Sequence, residues 1–151
     1  MTHTPLNYAL WLLGRRDRSV GEIRNKMKEK KFEEEEIEQT IKHLKKLNFL
    51  DDGKFATHYI SNQISIKPLG KYQLKQKLKR KFVSDEIIDN AIKEISPDRE
   101  LELAKEASLK YQKSHPAVND TNAEKNRQKL ARHLISRGFD WEIVKDIIDE
   151  S

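Results

Sequence analysis

The chain contains no cysteine, so disulfides, thiolate metal sites and a cysteine nucleophile are excluded at once. Glycine and proline are scarce, five and four residues in 151, and no stretch alternates apolar and polar residues as a half-buried strand does. No apolar run approaches the 18 or so residues needed to span a bilayer. Met1 to Leu13 has no basic region ahead of its short apolar stretch, so it does not read as a secretion signal. A cytoplasmic protein is expected, of a Lys-, Glu- and Leu-rich all-helical kind. Catalytic signatures are missing too. There is no Gly-rich phosphate loop, no H-E-x-x-H and no G-x-S-x-G. The five histidines, His3, His43, His58, His115 and His133, lack ligand spacing. The expectation is a binding protein without enzymatic activity, metal or cofactor.

What is present is a pattern that occurs three times. Its apolar positions are Ile23, Met27, Phe32, Ile37 and Ile41, then Leu74, Leu78, Val83, Ile88 and Ile92, then Leu130, Leu134, Phe139, Val144 and Ile148. The offsets are 51 and 56 residues. Between the apolar pairs stands a turn: Lys30-Lys31-Phe32-Glu33, Lys81-Phe82-Val83-Ser84 and Arg137-Gly138-Phe139-Asp140. A repeat of this length implies stacked helical modules that bury a face against their neighbours. The expected fold is all-α, three tandem three-helix, helix-turn-helix-like repeats in an elongated array, divided at 1–50, 51–95 and 96–151.

Local signals place the helices. Leu6, Ala9, Leu10 and Leu13 recur at helical spacing, and Gly14 is expected to end that helix. Ser19 with Glu22 has capping-box spacing, Glu33 to Glu36 open the third helix, and Ser84 and Ser96-Pro97 start later ones. Thr121 with Glu124 is read as another box, after a flexible connection over Ser114 to Asp120. At Asn48-Phe49-Leu50-Asp51-Asp52 either aspartate can cap the next helix, so the pair is read as caps, not as a general acid and base. Phe32, Phe55 and Phe139 are expected in the core or at junctions, and Leu101, Ala104, Ala107, Leu109 and Tyr111 are available for burial.

Net charge is +5, and its distribution says more than its size. From Lys67 to Lys81 there are seven basic residues and no acidic one: Lys67, Lys71, Lys75, Lys77, Lys79, Arg80 and Lys81. On a helix beginning near Lys71, Lys71, Lys75 and Lys79 form an i, i+4 stripe while Leu74 and Leu78 occupy an adjoining face. Such a stripe suits a phosphate backbone or an acidic protein. Arg15, Arg16 and Arg18 form a second cluster, diluted by Asp17. Tyr72, within the basic segment, is placed either to stack on a base or to pack in the core, and packing is the expectation. No Asn, Gln and Arg cluster at one helix start in the manner of a base-reading helix, so contacts to nucleic acid would be made to its backbone.

Several segments together resemble the RecX regulators of the bacterial RecA recombinase. Arg18-Ser19-Val20-Gly21-Glu22-Ile23 is similar to that family's R-S-x-x-E-L helix start. The junction Leu50, Asp51, Asp52, Gly53, Lys54, Phe55 and Ala56 is similar to its L-D-D-x-x-F-A motif. Gly70 with Leu74 and Leu78, and Arg137-Gly138-Phe139, complete a likeness running from about Leu6 to Asp149. In the first two turns Lys31 and Phe82 replace the family's glycine, so each must avoid a left-handed backbone there or tolerate it at some cost. The resemblance implies a curved array that binds RecA, especially its filament on single-stranded DNA; a monomer is expected, with single-stranded DNA met directly or within the filament. It also implies restraint of ATP hydrolysis, strand exchange and filament-dependent repressor cleavage, and so a place in DNA repair. The alternatives are a helix-turn-helix-like transcription regulator and a helical interaction scaffold.

Overall fold

The computed structural model describes residues 4–116 and 122–150. Among these it contains nine α-helices and no strand. They are α1 (Pro5–Arg15), α2 (Val20–Glu29), α3 (Glu34–Lys46), α4 (Asp52–Ile66), α5 (Lys71–Arg80), α6 (Asp85–Lys93), α7 (Pro97–Ser114), α8 (Ala123–Ser136) and α9 (Trp141–Asp149). Two compact units emerge, one of Met1–Tyr59 with Leu78–Ile88, the other of Ile60–Lys77 with Asp89–Ser151.

In the first unit the helix starts are fixed by side-chain caps. Thr4 Oγ1 accepts from Asn7 N–H at 3.1 Å with Pro5 behind it. Ser19 and Glu22 close the expected reciprocal box, at 3.1 Å in each direction. Glu33 N–H donates to Glu36 Oε1 at 3.2 Å. Gly14 does not end α1, which continues through Arg15. The apolar stripes of α1 to α3 then meet in one core of Ala9, Leu12, Ile23, Met27, Ile37, Ile41 and Leu44, joined by Leu50, with Tyr8 and Val20 at its margin and Phe32 partly buried against it.

The two junction aspartates divide the capping work. Asp51 Oδ1 accepts from Lys54 N–H at 3.1 Å and caps α4. Asp52, one residue inside the helix, accepts instead from Val20 N–H at 2.8 Å, one of the otherwise unserved donors at the start of α2. Leu50, Phe55 and Ala56 of the same motif are buried. The α2 start also sits on the turn after α5: the Ser19 hydroxyl donates to the Lys81 carbonyl, and a Cβ on Gly21 would lie 2.4 Å from the Phe82 Cβ.

In the second unit α7, α8 and α9 pack around Leu103, Ala104, Ala107, Leu130, Leu134, Phe139, Val144 and Ile147, with Ile64 of α4 against them. The start of α5 sits on the turn after α8. Gly70 N–H donates to Arg137 O at 2.8 Å, Tyr72 N–H to Gly138 O at 3.1 Å, and Gln73 Nε2 to Ser136 O at 2.9 Å. By the repeat offsets Gly70 corresponds to Ser19, Gln73 to Glu22 and Arg137 to Lys81. The same joint is thus made twice with different atoms, a hydroxyl donating to the turn carbonyl in one case and a backbone N–H in the other.

The turns adopt the left-handed conformation at the same repeat position: Lys31 at φ 70°, Phe82 at φ 64° and Gly138 at φ 96°. The first two turns therefore tolerate the left-handed residue instead of avoiding it. Two placements differ from expectation. Tyr72 is exposed because it lies two residues from Leu74, whose face points inward, and residues two apart on a helix do not share a face. Leu109 is exposed for the same reason relative to Ala107. Thr121 and the connection at 117–120 lie outside the described residues, as does His3; Asn122 caps α8, accepting from Lys125 N–H at 3.1 Å.

Candidate functional site

Pro68 and Gly70 interrupt the chain after α4, and the next ten residues form α5, with Leu74 and Leu78 fully buried at i, i+4. Every other α5 position is polar or exposed, and that is where the lysines stand. Their partners sort them into three kinds.

Lys71 and Lys81 are committed to the fold. Lys71 Nζ lies 2.8 Å from Glu100 Oε1, and Glu100 retains only 11 % side-chain exposure. Lys81 Nζ lies 3.7 Å from Glu22 Oε2 and 5.9 Å from the Tyr59 ring centroid. A carboxylate removed this far from water needs its cation, so neither lysine is free to serve a ligand without loss elsewhere. Lys75 and Lys79 are held loosely, by Asp89 at 3.5 Å and Asp85 at 3.9 Å, in exposed pairs of a type that contributes at most about 1 kcal/mol. Lys67, Lys77 and Arg80 have no carboxylate in ion-pair range among the described residues.

The arginines sort in the same way. Arg16 Nη2 donates to Glu22 Oε2 at 2.9 Å, and Arg18 Nε donates to Leu12 O at 3.3 Å. Arg18 is drawn below its ordinary pKa by burial first and by Arg16 next. Neither Arg15 nor Arg18 has a carboxylate in ion-pair range among the described residues; Arg18 is held by the Leu12 carbonyl, and the Arg15 guanidinium lies over the Trp11 ring at 5.0 Å from the centroid. Glu22 is the hub between Arg16 and Lys81. Burial pushes its carboxyl up, but hydrogen bonds from Arg16 and from Ser19 N–H, with the charges of Arg16 and Lys81, hold it below the usual glutamate range.

Sequence reasoning missed two features here. The first is this Glu22 cluster, for which the capping box was the visible half and the long-range cations were not. The second is a ladder on α1 in which Lys30 lies over Tyr8, Tyr8 stacks on Trp11 and Arg15 lies over Trp11. Spacings of three and four residues were its only signal. In the other unit Tyr111 is stacked between His115 and His133, at 4.2 and 4.5 Å. Burial, Arg137 and His115 lower the His133 pKa. Among the described residues no three His, Asp or Glu side chains converge as a metal would require, and no helix is long and apolar enough to cross a membrane.

Three family models match consecutive stretches of the chain: the RecX first three-helix domain over residues 6–44, the second over 51–92 and the third over 98–148. The chain is 36% identical over 149 residues to the regulatory protein RecX of Prosthecochloris aestuarii, covering 99% of this chain and 94% of that one. It is 32% identical over 152 residues to the regulatory protein RecX of Haemophilus influenzae strain PittEE, covering 100% and 97%. Among solved structures, the crystal structure of RecX from Lactobacillus salivarius superposes with a TM-score of 0.87 at 22% identity, over 97% of this chain and 93% of that one. A second crystal structure, of a regulatory protein RecX, gives a TM-score of 0.85 at 26% identity, over 97% and 72%.

Proposed function

This chain belongs to the RecX family, and from that premise we propose that it is a non-enzymatic regulator that binds the RecA recombinase and its filament on single-stranded DNA. It acts in the cytoplasm as a monomer and restrains ATP hydrolysis, strand exchange and filament-dependent repressor cleavage. The three repeats, 1–50, 51–95 and 96–151, are its contacting modules.

The observation that carries this reading is the run of three consecutive RecX domain matches along one chain. The charge inventory supports it and narrows the contact residues. Among the described residues Lys67 and Lys77 in one unit, and Arg15 and Arg80 in the other, are cations with no carboxylate in ion-pair range, and Lys75 and Lys79 have only weak ones. Lys71 and Lys81 link residues of different repeats, Arg16 and Arg18 brace the first repeat internally, and all four act through the fold. A regulator of this kind shifts the filament by binding one of its states more tightly than the others.

The test is DNA-stimulated ATP hydrolysis by the recombinase of the same organism, titrated with this protein. Inhibition at well below one molecule per recombinase protomer is expected. No inhibition by folded protein in excess overturns the assignment.

A further inference from the structure

We propose that the exposed face of α1 built from Leu10, Trp11, Gly14 and Arg15 binds single-stranded nucleic acid by stacking a base on Trp11. The proposal deepens the function given above and rests on it for the choice of DNA as the nucleic acid; the site itself is argued from α1.

Trp11 is the first observation. It leaves 54 % of its surface in water, and its neighbour Leu10 leaves 37 %, on a helix whose other face supplies Ala9 and Leu12 to the core. Its ring is already in a stack: Tyr8 lies 6.0 Å away at an interplanar angle of 22°, and Arg15 lies over it at 5.0 Å. Lys30, 5.4 Å from the Tyr8 ring centroid, closes the far end of the row. Tyr8 is buried and backs the ring, so the exposed Trp11 is the face that offers a planar base a stacking surface, and Arg15 beside it offers the phosphate a charge.

Gly14 is the second observation, independent of the first. It lies inside α1 without a positive φ, and a Cβ built on it would meet nothing within 4 Å. Backbone geometry and packing inside the chain therefore make no demand for glycine, although glycine in a helix is about 1 kcal/mol less favourable than alanine. Gly21, Gly70 and Gly138, by contrast, are each pressed against another segment. The bare backbone of Gly14, one turn from Leu10 and Trp11, leaves a clearing beside the Trp11 ring through which a flat ligand reaches the helix.

Charge selects the ligand. Residues 1–16 contain no acid, and the first, Asp17, lies 3.8 Å from His58. Arg15 has no carboxylate in ion-pair range among the described residues, so swinging from the Trp11 face to a phosphate breaks no ion pair among them. A base on Trp11 with its backbone phosphate on Arg15 satisfies both groups. A duplex keeps its bases stacked on one another, so a single strand is the form that fits.

The experiment needs no recombinase, so its failure and the failure of the filament assignment are distinguishable. Trp141→Phe leaves Trp11 as the only tryptophan of the two. This variant is titrated with a short oligothymidylate at low salt, following Trp11 emission, while fluorescence anisotropy of labelled oligonucleotide reports total binding. Trp11 quenching that saturates in step with the anisotropy is expected. In the natural background Trp11→Ala should weaken binding about tenfold, and Gly14→Gln, which fills the clearing without touching the core, should weaken it with the melting temperature retained. The proposal is overturned if the oligonucleotide does not bind, if it binds without changing Trp11 emission, or if Trp11→Ala keeps full affinity. Loss of recombinase inhibition by Trp11→Ala with oligonucleotide affinity unchanged also overturns it, and assigns the face to a protein partner.

Discussion

The Asp52 carboxylate accepts a hydrogen bond from the Val20 backbone N–H at 2.8 Å, joining the start of α4 to the start of α2 across 32 residues. Burial raises the Asp52 pKa above the ordinary aspartate value, only partly offset by the Val20 N–H. A raised acid pKa means that the native state takes up its proton before the unfolded chain does. The ionisation penalty is therefore fully present above the folded pKa and disappears as pH falls below the unfolded one. Asp52→Asn keeps an acceptor for Val20 and removes the penalty. Its stability relative to the natural protein should be most favourable at neutral pH and should decline on acidification. Asp52→Ala, which orphans the donor, should lose about 1–2 kcal/mol. Thermal melts of the three proteins at neutral and acid pH decide this; a pH-independent difference for Asp52→Asn would contradict it.

Glu22 has the opposite sign. Its pKa is depressed in the fold, so its contribution is complete above the unfolded glutamate pKa and is lost as pH falls through the folded one. Glu22→Gln leaves Arg16 and Lys81 facing each other without a counter-ion and should lose about 2 kcal/mol at neutral pH, in line with charged hydrogen bonds elsewhere. That loss should shrink on acidification, whereas it is the gain of Asp52→Asn that shrinks. Paired melts across the same pH series measure both slopes, and slopes of equal sign would show that these two carboxylates are not in the environments described.

The helices and most of their capping residues were legible because each depends on neighbours within a few positions, whereas the sequence left open whether Lys31 and Phe82 avoid or tolerate the left-handed backbone they adopt, and Gly14 does not end α1. Ser19 with Glu22 needs only three residues. The candidate site was legible only as a density of charge. Which lysines are engaged depends on Glu100, 29 residues from Lys71, and on Glu22, 59 residues from Lys81, and helix spacing says nothing about either. Tyr72 and Leu109 went astray because an apolar residue in a helix was expected to turn inward when its register against Leu74 or Ala107 already faced it outward.

The glycines separate by what surrounds them. A Cβ at Gly70 would sit 2.2 Å from the Gly138 carbonyl carbon, and one at Gly21 2.4 Å from the Phe82 Cβ. Neither obstacle is the movable end of a side chain, so Gly70→Ala and Gly21→Ala should each lose about 1–3 kcal/mol by forcing the joint apart. Gly14→Ala meets open space and should gain up to about 1 kcal/mol from helix propensity. Denaturant midpoints of the three variants give the ranking directly. A destabilised Gly14→Ala would mean that α1 is packed differently at its end.

Lys71 and Lys77 stand six residues apart on α5 but should respond in opposite ways to charge reversal. Lys71→Glu sets a second carboxylate against Glu100, which has 11 % side-chain exposure and loses the cation it holds at 2.8 Å. Losing a charged hydrogen bond whose carboxylate is buried and whose cation is partly exposed takes about 1.5–3 kcal/mol from the fold, so the variant should melt below the natural protein and lose recombinase inhibition only as a consequence of unfolding. Lys77 has no carboxylate in ion-pair range among the described residues, so Lys77→Glu should melt within about 0.5 kcal/mol of the natural protein. Its inhibition curve should nevertheless move to higher protein concentration, and the displacement should shrink as salt is raised because the missing interaction is one with an anionic surface. Melting curves and inhibition titrations on the same preparations separate the two roles. A Lys71→Glu variant that melts normally would remove Lys71 from the structural class, and a Lys77→Glu variant with an unmoved inhibition curve would remove Lys77 from the contact surface.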